Sequence, residues 1–202
     1  MMEITHIFFD IGGVLGTNGW DREQRSQAVE HFGLDEDFEP RHQELIGDWE
    51  IGRITLAEYL ESAVFFVPRA FSREEFTKFM LAQSQPYPDS LRIAEDLRDR
   101  RPDLRFMTFN NESAELNGYR IERFGLRPLF SAFLSSCWLG VRKPSRAMFE
   151  RGLGVAQAEA ARVVLVDDRE QNLAPARALG LQTIHFTGAD ALEKALLDLF
   201  PL

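Results

Sequence analysis

The sequence predicts an α/β protein: a Rossmann-like parallel sheet core with an inserted helical cap. Three observations lead there. Short β-rich runs alternate with helix-like stretches over most of the 202 residues, the rhythm of a parallel sheet covered on both faces. One run, Val163-Val164-Leu165-Val166, is apolar at every position, as a strand buried on both sides requires. Between the first and second runs, residues 20–85 hold helix-like stretches and no strand-like one, so an all-helical insertion interrupts the alternation.

In chain order, the first strand is expected over residues 4–9. Helices follow within the insertion at 22–32, 56–66 and 73–83, punctuated by Gly33 and by the pair Pro86 and Pro88. A second strand at 104–109 leads to a helix over 112–124, stopped by Gly125, a residue suited to a helix C-terminus. After a third strand at 132–136, Ser145 follows Pro144 and is placed to cap a helix through Arg151. The fourth strand, 163–166, feeds a helix over 170–179 that ends at Gly180. A fifth strand at 183–186 and an amphipathic helix at 190–200 close the chain before Pro201. The division that results is a core of residues 1–17 and 86–202 and a cap of residues 18–85. A connection of that length usually serves a purpose, such as covering a site.

Composition narrows the function classes. The length suits one domain, or a core with a smaller insertion. Hydrophobic residues at 45% and charged residues at 27% are ordinary for a globular protein. With 23 basic and 32 acidic side chains the net charge is -9. That balance disfavours nucleic acid, whose phosphates need clustered Lys and Arg. A small anionic substrate remains compatible, because one metal ion and one Lys can set its local field. The single cysteine, Cys137, permits no intrachain disulfide. It lies in an apolar stretch and reads as a small packed hydrophobe in a reducing compartment. The first residues lack the basic segment and apolar run of a leader, and no run approaches the ~20 apolar residues of a bilayer span. The expectation is a cytoplasmic protein with no membrane partner; oligomeric state is left open.

In open parallel sheets, ligands bind beyond the carboxyl ends of the strands. Asp10 stands there after the first strand, followed by Gly12 and Gly13. A carboxylate in that place can attack phosphorus or carbon and can bind a hard cation. The glycines allow close backbone approach, but no Gly-Lys-Ser/Thr follows, so this is no Walker loop. Lys143, after the third strand, could neutralise an aspartate and a bound phosphate together. Asp167 and Asp168, after the fourth, suit a Mg²⁺ site built from one or two carboxylates. Asp168 also precedes a helix and could serve its start, leaving Asp167 for the metal.

Asp10 after strand one, Lys143-Pro144 after strand three and Asp167-Asp168-x-x-x-Asn172 after strand four together resemble the haloacid dehalogenase-like superfamily, over essentially the whole chain. The opening Asp10-Ile11-Gly12-Gly13-Val14 is similar to a subgroup related to sugar-phosphate phosphatases and epoxide hydrolase N-terminal domains. The resemblance implies a small phosphorylated metabolite as substrate and Mg²⁺ as cofactor. It implies Asp10 as the nucleophile that forms an aspartyl intermediate and Lys143 as the group that stabilises charge. Asp10, Asp167 and the backbone carbonyl of Gly12 would hold the metal. The helical cap would choose the substrate, through candidates Trp20, Arg41, His42, Trp49 and Glu50, with Arg41 taken as the binding residue.

Two positions depart from that pattern. Phosphatases of the superfamily carry a second Asp two residues after the nucleophile, which protonates the leaving group; here it is Gly12. Losing a positioned acid forfeits ~10²–10⁴ in rate. At the end of strand two, where Ser or Thr touches phosphate, ungapped alignment puts Phe109. Thr108, one place early, faces the other side of a strand unless the register shifts; Asn110 and Asn111 are the alternative phosphate contacts. The expected function is a Mg²⁺-dependent phosphatase acting on activated leaving groups, such as anomeric sugar, acyl or aryl phosphates. The rivals are a 2-haloacid dehalogenase, which needs neither metal nor that acid, and a non-catalytic binding protein of the same fold.

Overall fold

The computed structural model describes residues 3–201. Met1 and Met2, which open the segment read above as lacking a leader, lie outside them. Five parallel strands form one sheet in the order β3-β2-β1-β4-β5. They are β1 (His6–Phe9), β2 (Arg105–Asn110), β3 (Ala132–Ser135), β4 (Val163–Asp167) and β5 (Gln182–His185). β1 is central, which is why all four of its residues are buried. Strand alternation sends Ile7 and Phe9 to one apolar layer with Phe106, Val164 and Val166. Phe8 goes to the opposite layer with Met107, Phe109, Val163 and Leu165. The chain builds outward from β1 through β2 and β3, then returns to β1's other side with β4. The switch point beyond the ends of β1 and β4 is where such sheets bind ligands.

Four helices separate β1 from β2 before the last covering helix: α1 (Arg22–Phe32), α2 (Phe38–Glu50), α3 (Leu56–Ala63) and α4 (Arg73–Ala82). Thr55 with Glu58, and Ser72 with Glu75, form reciprocal capping boxes that start α3 and α4. The four helices share a separate apolar cluster around Trp20, Phe38, Trp49, Tyr59 and Phe76. Both ends of the insertion leave the core together. Thr17 N–H donates to the Gln85 carbonyl at 2.8 Å, and Thr17 Oγ1 to the Gln83 carbonyl at 2.6 Å.

The remaining elements are α5 (Pro88–Arg100), α6 (Ala114–Arg123), α7 (Ser136–Leu139), α8 (Arg146–Ala156), α9 (Glu170–Ala178) and α10 (Ala189–Leu199). The sequence pattern does not predict helices α2, α5 and the short α7; Pro40 and Gly47 interrupt it in α2 and Pro88 in α5. Pro40 and Pro88 sit in the first turns, where an N–H has no intrahelical acceptor to lose. α8 runs past Arg151 through Gly152, because that glycine is a packing site: a Cβ there would come 2.5 Å from Phe109 Cε2. Ser145 holds the cap position of α8 but its side chain makes no cap hydrogen bond. Among the described residues no helix is long and apolar enough to cross a membrane.

Candidate active site at the carboxyl edge of the sheet

Strand register brings the ends of β1, β2 and β4 level, since Phe9 pairs with both Thr108 and Val166. Asp10 follows β1, and its N–H donates to the Val166 carbonyl at 2.9 Å. Its Oδ1 accepts from Ile11 N–H at 2.8 Å, and its Oδ2 lies 3.0 Å from Lys143 Nζ. Lys143 is 2% exposed, and its ammonium has three acceptors for three protons. They are Asp10, the Phe109 carbonyl at 2.8 Å and Asp167 Oδ2 at 2.6 Å. Burial alone would lower the Lys143 pKa, but Asp10 and Asp167 outweigh it and hold the ammonium charged.

Asp167 is fully engaged. Besides Lys143, its oxygens accept from Arg169 N–H at 2.9 Å and from Asn172 Nδ2 at 3.0 and 3.1 Å. Asp168 differs: its Oδ1 is buried without a hydrogen-bond partner among the described residues. Nor does it cap α9, whose cap position belongs to Arg169, so the reading of Asp168 as a helix start is corrected. Asp168 turns instead toward Gly13, where a Cβ would come 2.3 Å from Oδ2; with φ at 77°, only glycine fits there. Asp10, Asp167 and Asp168 each offer an oxygen, all within 4.8 Å of one another. The three carboxylates outnumber the cations that act on them, Lys143 and the Arg169 guanidinium. Burial pushes Asp10 up to about 7, against the pull of Lys143 and reinforced by Asp167 and Asp168. Asp168 is raised too, chiefly by burial. A divalent cation is the natural complement of that cluster.

The expected substrate contacts divide. Asn111 lines the cavity, but its side-chain amide is bound to Lys143 at both ends, donating to the carbonyl and accepting from the N–H at 2.9 and 2.8 Å. It holds the Lys143 loop. Three readings are corrected. Asn110 is buried in a network with Asn117 and Ser135 and does not reach the cavity. Thr108 is fully buried in the strand, faces the apolar layer beside Phe9 and does not line the cavity. Arg41 bonds to Asp35 and the Ala63 carbonyl and stacks over Phe66, away from the cavity. Phe109 directs its ring into the core between Phe8 and Phe149, each 5.4 Å away, while its carbonyl serves Lys143.

The cavity, about 300 Å³, lies between the core residues Asp10, Gly12 and Lys143 and an insertion wall that includes Trp20, His42, Trp49 and Glu50. Beside Gly12 stands a group the sequence did not single out. A Cβ on Gly12 would come 3.0 Å from Asn18 Oδ1 and 3.4 Å from Arg120 Nη1. Arg120, 1% exposed, pairs through Nη1 with Glu112 Oε2 at 2.9 Å. It also donates to the Asn18 carbonyl and to Ser84 Oγ. Nothing in a lone Arg within a charged helix marks it as buried; only the fold does. Cys137 is partly buried, and burial pushes its thiol up to about 12.

This arrangement of aspartate, lysine and acidic pair belongs to hydrolases built on a strand-end carboxylate. The family model for haloacid dehalogenase-like hydrolases matches residues 4–180, and the chain belongs to that family. It is 27% identical over 214 residues to the bifunctional epoxide hydrolase 2 of Sus scrofa, covering 96% of this chain and 38% of that one. Over 112 residues it is 32% identical to the ribulose-1,5-bisphosphate 5-phosphatase of Halopiger xanaduensis, covering 54% of this chain and 46% of that one. The chain thus spans less than half the length of either relative. Among solved structures, a HAD family enzyme of Bacteroides thetaiotaomicron in its magnesium complex superimposes with a TM-score of 0.79 at 20% identity, covering 92% of this chain and 94% of that one. The same enzyme is also known with magnesium and inorganic phosphate bound.

Proposed function

We propose that the chain is a Mg²⁺-dependent phosphatase that works through an aspartyl-phosphate on a small phosphorylated metabolite. The observation that carries this reading is the free, buried oxygen of Asp168 beside Asp10, in a cluster whose three carboxylates outnumber the cations around it. Asp10, Asp168 and the Gly12 carbonyl would hold the ion; Asp167, occupied by Lys143 and Asn172, would act through the lysine instead. The bound metal would supply positive charge to phosphate oxygens. An Asp10 oxygen attacks phosphorus, the bond to the leaving oxygen breaks, and Lys143 offsets the negative charge. Water then attacks the aspartyl-phosphate at phosphorus, releasing inorganic phosphate and restoring Asp10. With no side chain at Gly12, a leaving group that departs without protonation is favoured, such as a glycosyl, acyl or aryl phosphate. Residues 18–85 would act as the cap over this chemistry. The relatives that act on or bind phosphate support the class of reaction.

The test is turnover of acetyl, p-nitrophenyl, glycosyl and simple alkyl phosphates, with and without EDTA and in Asp10→Asn. Expected are loss of activity in Asp10→Asn and in EDTA, and a preference for the activated esters. Hydrolysis of 2-chloropropionate that survives EDTA would instead establish the dehalogenase reading. Activity indifferent to Asp10→Asn would sink both readings built on an aspartyl intermediate.

A further inference from the structure

The insertion wall of the cavity carries two hydrogen-bond donors that the phosphoryl chemistry does not use. Trp49, 1% exposed, lines the cavity, and its indole Nε1 is buried with no acceptor among the described residues. Buried donors are nearly always satisfied, so an orphan donor on a residue that lines a ligand cavity points to an acceptor brought by the ligand. The ring cannot easily swing to find one, because it stacks on Tyr59 at 4.2 Å, within 7° of parallel.

His42 supplies the second donor, and its tautomer follows from its neighbours. Tyr59 is fully buried, and its hydroxyl has two partners: Trp20 Nε1 at 3.0 Å and His42 Nδ1 at 2.9 Å. Indole N–H can only donate, so the tyrosine oxygen accepts from Trp20. The hydroxyl proton then has one acceptor left, His42 Nδ1. The imidazole proton must sit on Nε2, which has no protein partner among the described residues, on a ring that lines the cavity. Burial, with the charge of Arg25, holds His42 at about 4, so the ring is neutral and keeps this tautomer at physiological pH.

Resting on the phosphatase reading above, we infer that Trp49 Nε1–H and His42 Nε2–H form a specificity subsite for the leaving group. The subsite takes a leaving group rich in hydrogen-bond acceptors, the polyol of a glycosyl phosphate, over an acyl or aryl group. Two unsatisfied donors reject a ligand that cannot pair them more strongly than an apolar wall rejects an extra hydroxyl. Among activated phosphates, this geometry selects the sugar.

The test uses the full chain and two readouts. In Asp10→Asn, which blocks turnover, proton–nitrogen spectra carry indole N–H signals from three tryptophans; the one lost in Trp49→Phe belongs to Trp49. A panel of hexose and pentose 1-phosphates should contain a member that moves this signal, where inorganic phosphate does not. In the otherwise native enzyme, Trp49→Phe keeps an aromatic ring beside Tyr59 and removes the donor together with part of the indole, so acetyl phosphate serves as the reference for the change in packing. The ratio of kcat/KM for that sugar phosphate to kcat/KM for acetyl phosphate should fall roughly 3- to 10-fold. A Trp49 signal that no sugar phosphate moves, or a ratio unchanged in Trp49→Phe, would overturn the subsite. A native enzyme that hydrolyses no phosphate, yet shows the Trp49 shift, would remove the phosphatase reading and keep the donor pair.

Discussion

Arg120 Nη1 stands 3.4 Å from the point where a Cβ on Gly12 would lie. The space where a second aspartate would work is thus bordered by a buried guanidinium already paired to Glu112 at 2.9 Å. Gly19 makes way for the same group, since a Cβ there would fall within contact distance of Nη2. Restoring the acid by Gly12→Asp should therefore fail to restore acid catalysis. The new carboxylate would be held ionised by Arg120, and an ionised acid donates nothing. The rate on a simple alkyl phosphate should rise by well under the ~10²–10⁴ that a positioned acid supplies. A gain of that full size, measured on glycerol phosphate, would show that Arg120 does not govern the position.

Restoring the hydroxyl at the other departure should be destructive. Phe109 is fully buried between Phe8 and Phe149, and Gly152 is shaped to it. Phe109→Ser empties that volume and should cost about 3–5 kcal/mol. Denaturant unfolding reads the loss directly; a stable Phe109→Ser protein with improved phosphate affinity would contradict the packing role.

The acidic pair should separate into two functions. Asp168→Asn is expected to weaken Mg²⁺ binding, followed calorimetrically, by more than about tenfold, with little change in the stability of the metal-free protein. Asp167→Asn removes one of the two carboxylates paired with the buried Lys143 and should lower metal-free stability by about 1.5–3 kcal/mol. The reverse pattern would return the metal to Asp167.

His42 gives the pH signature. Its pKa falls from 6.5 to about 4 on folding. Between those values the unfolded chain binds a proton that the folded one refuses, so this contribution is complete above pH 6.5 and declines with acid until about pH 4. The urea midpoint should drop across that window more steeply in the native chain than in His42→Gln. The His42 ring signals should not titrate above about pH 5. A midpoint near 6.5 in those signals would rule out the neutral, buried ring.

The parallel core was readable because its strands are short apolar runs with chemistry at their ends, and Asp10, Lys143 and Asp167 meet as that pattern requires. What could not be read depended on contacts distant in sequence. Arg41 reads as a substrate-binding residue, yet Asp35 and Phe66 claim it. Asn110 and Asn111 are adjacent and alike, but the pleat sends one into a network with Asn117 and the other to the Lys143 loop. Asp168 resembles a helix cap because caps and metal ligands use the same residue type in the same place; the cap position held by Arg169 and the unpartnered oxygen of Asp168 tell against the cap. Helix α2 was hidden by Pro40, whose penalty vanishes in a first turn.

The clasp of Thr17 on Gln83 and Gln85 has a consequence for how such a chain can change. The helical insertion departs and returns at one seam, with Tyr87 N–H also donating to the Leu15 carbonyl at 2.8 Å. Because its ends already touch, its length and content place no strain on the register of β1 against β2. Whatever lies beyond the seam can be lengthened, repacked or replaced while Asp10 keeps its place beside Lys143. On the phosphatase reading, reactivity and selectivity would be inherited through separate stretches of the gene, and one could drift while the other is held.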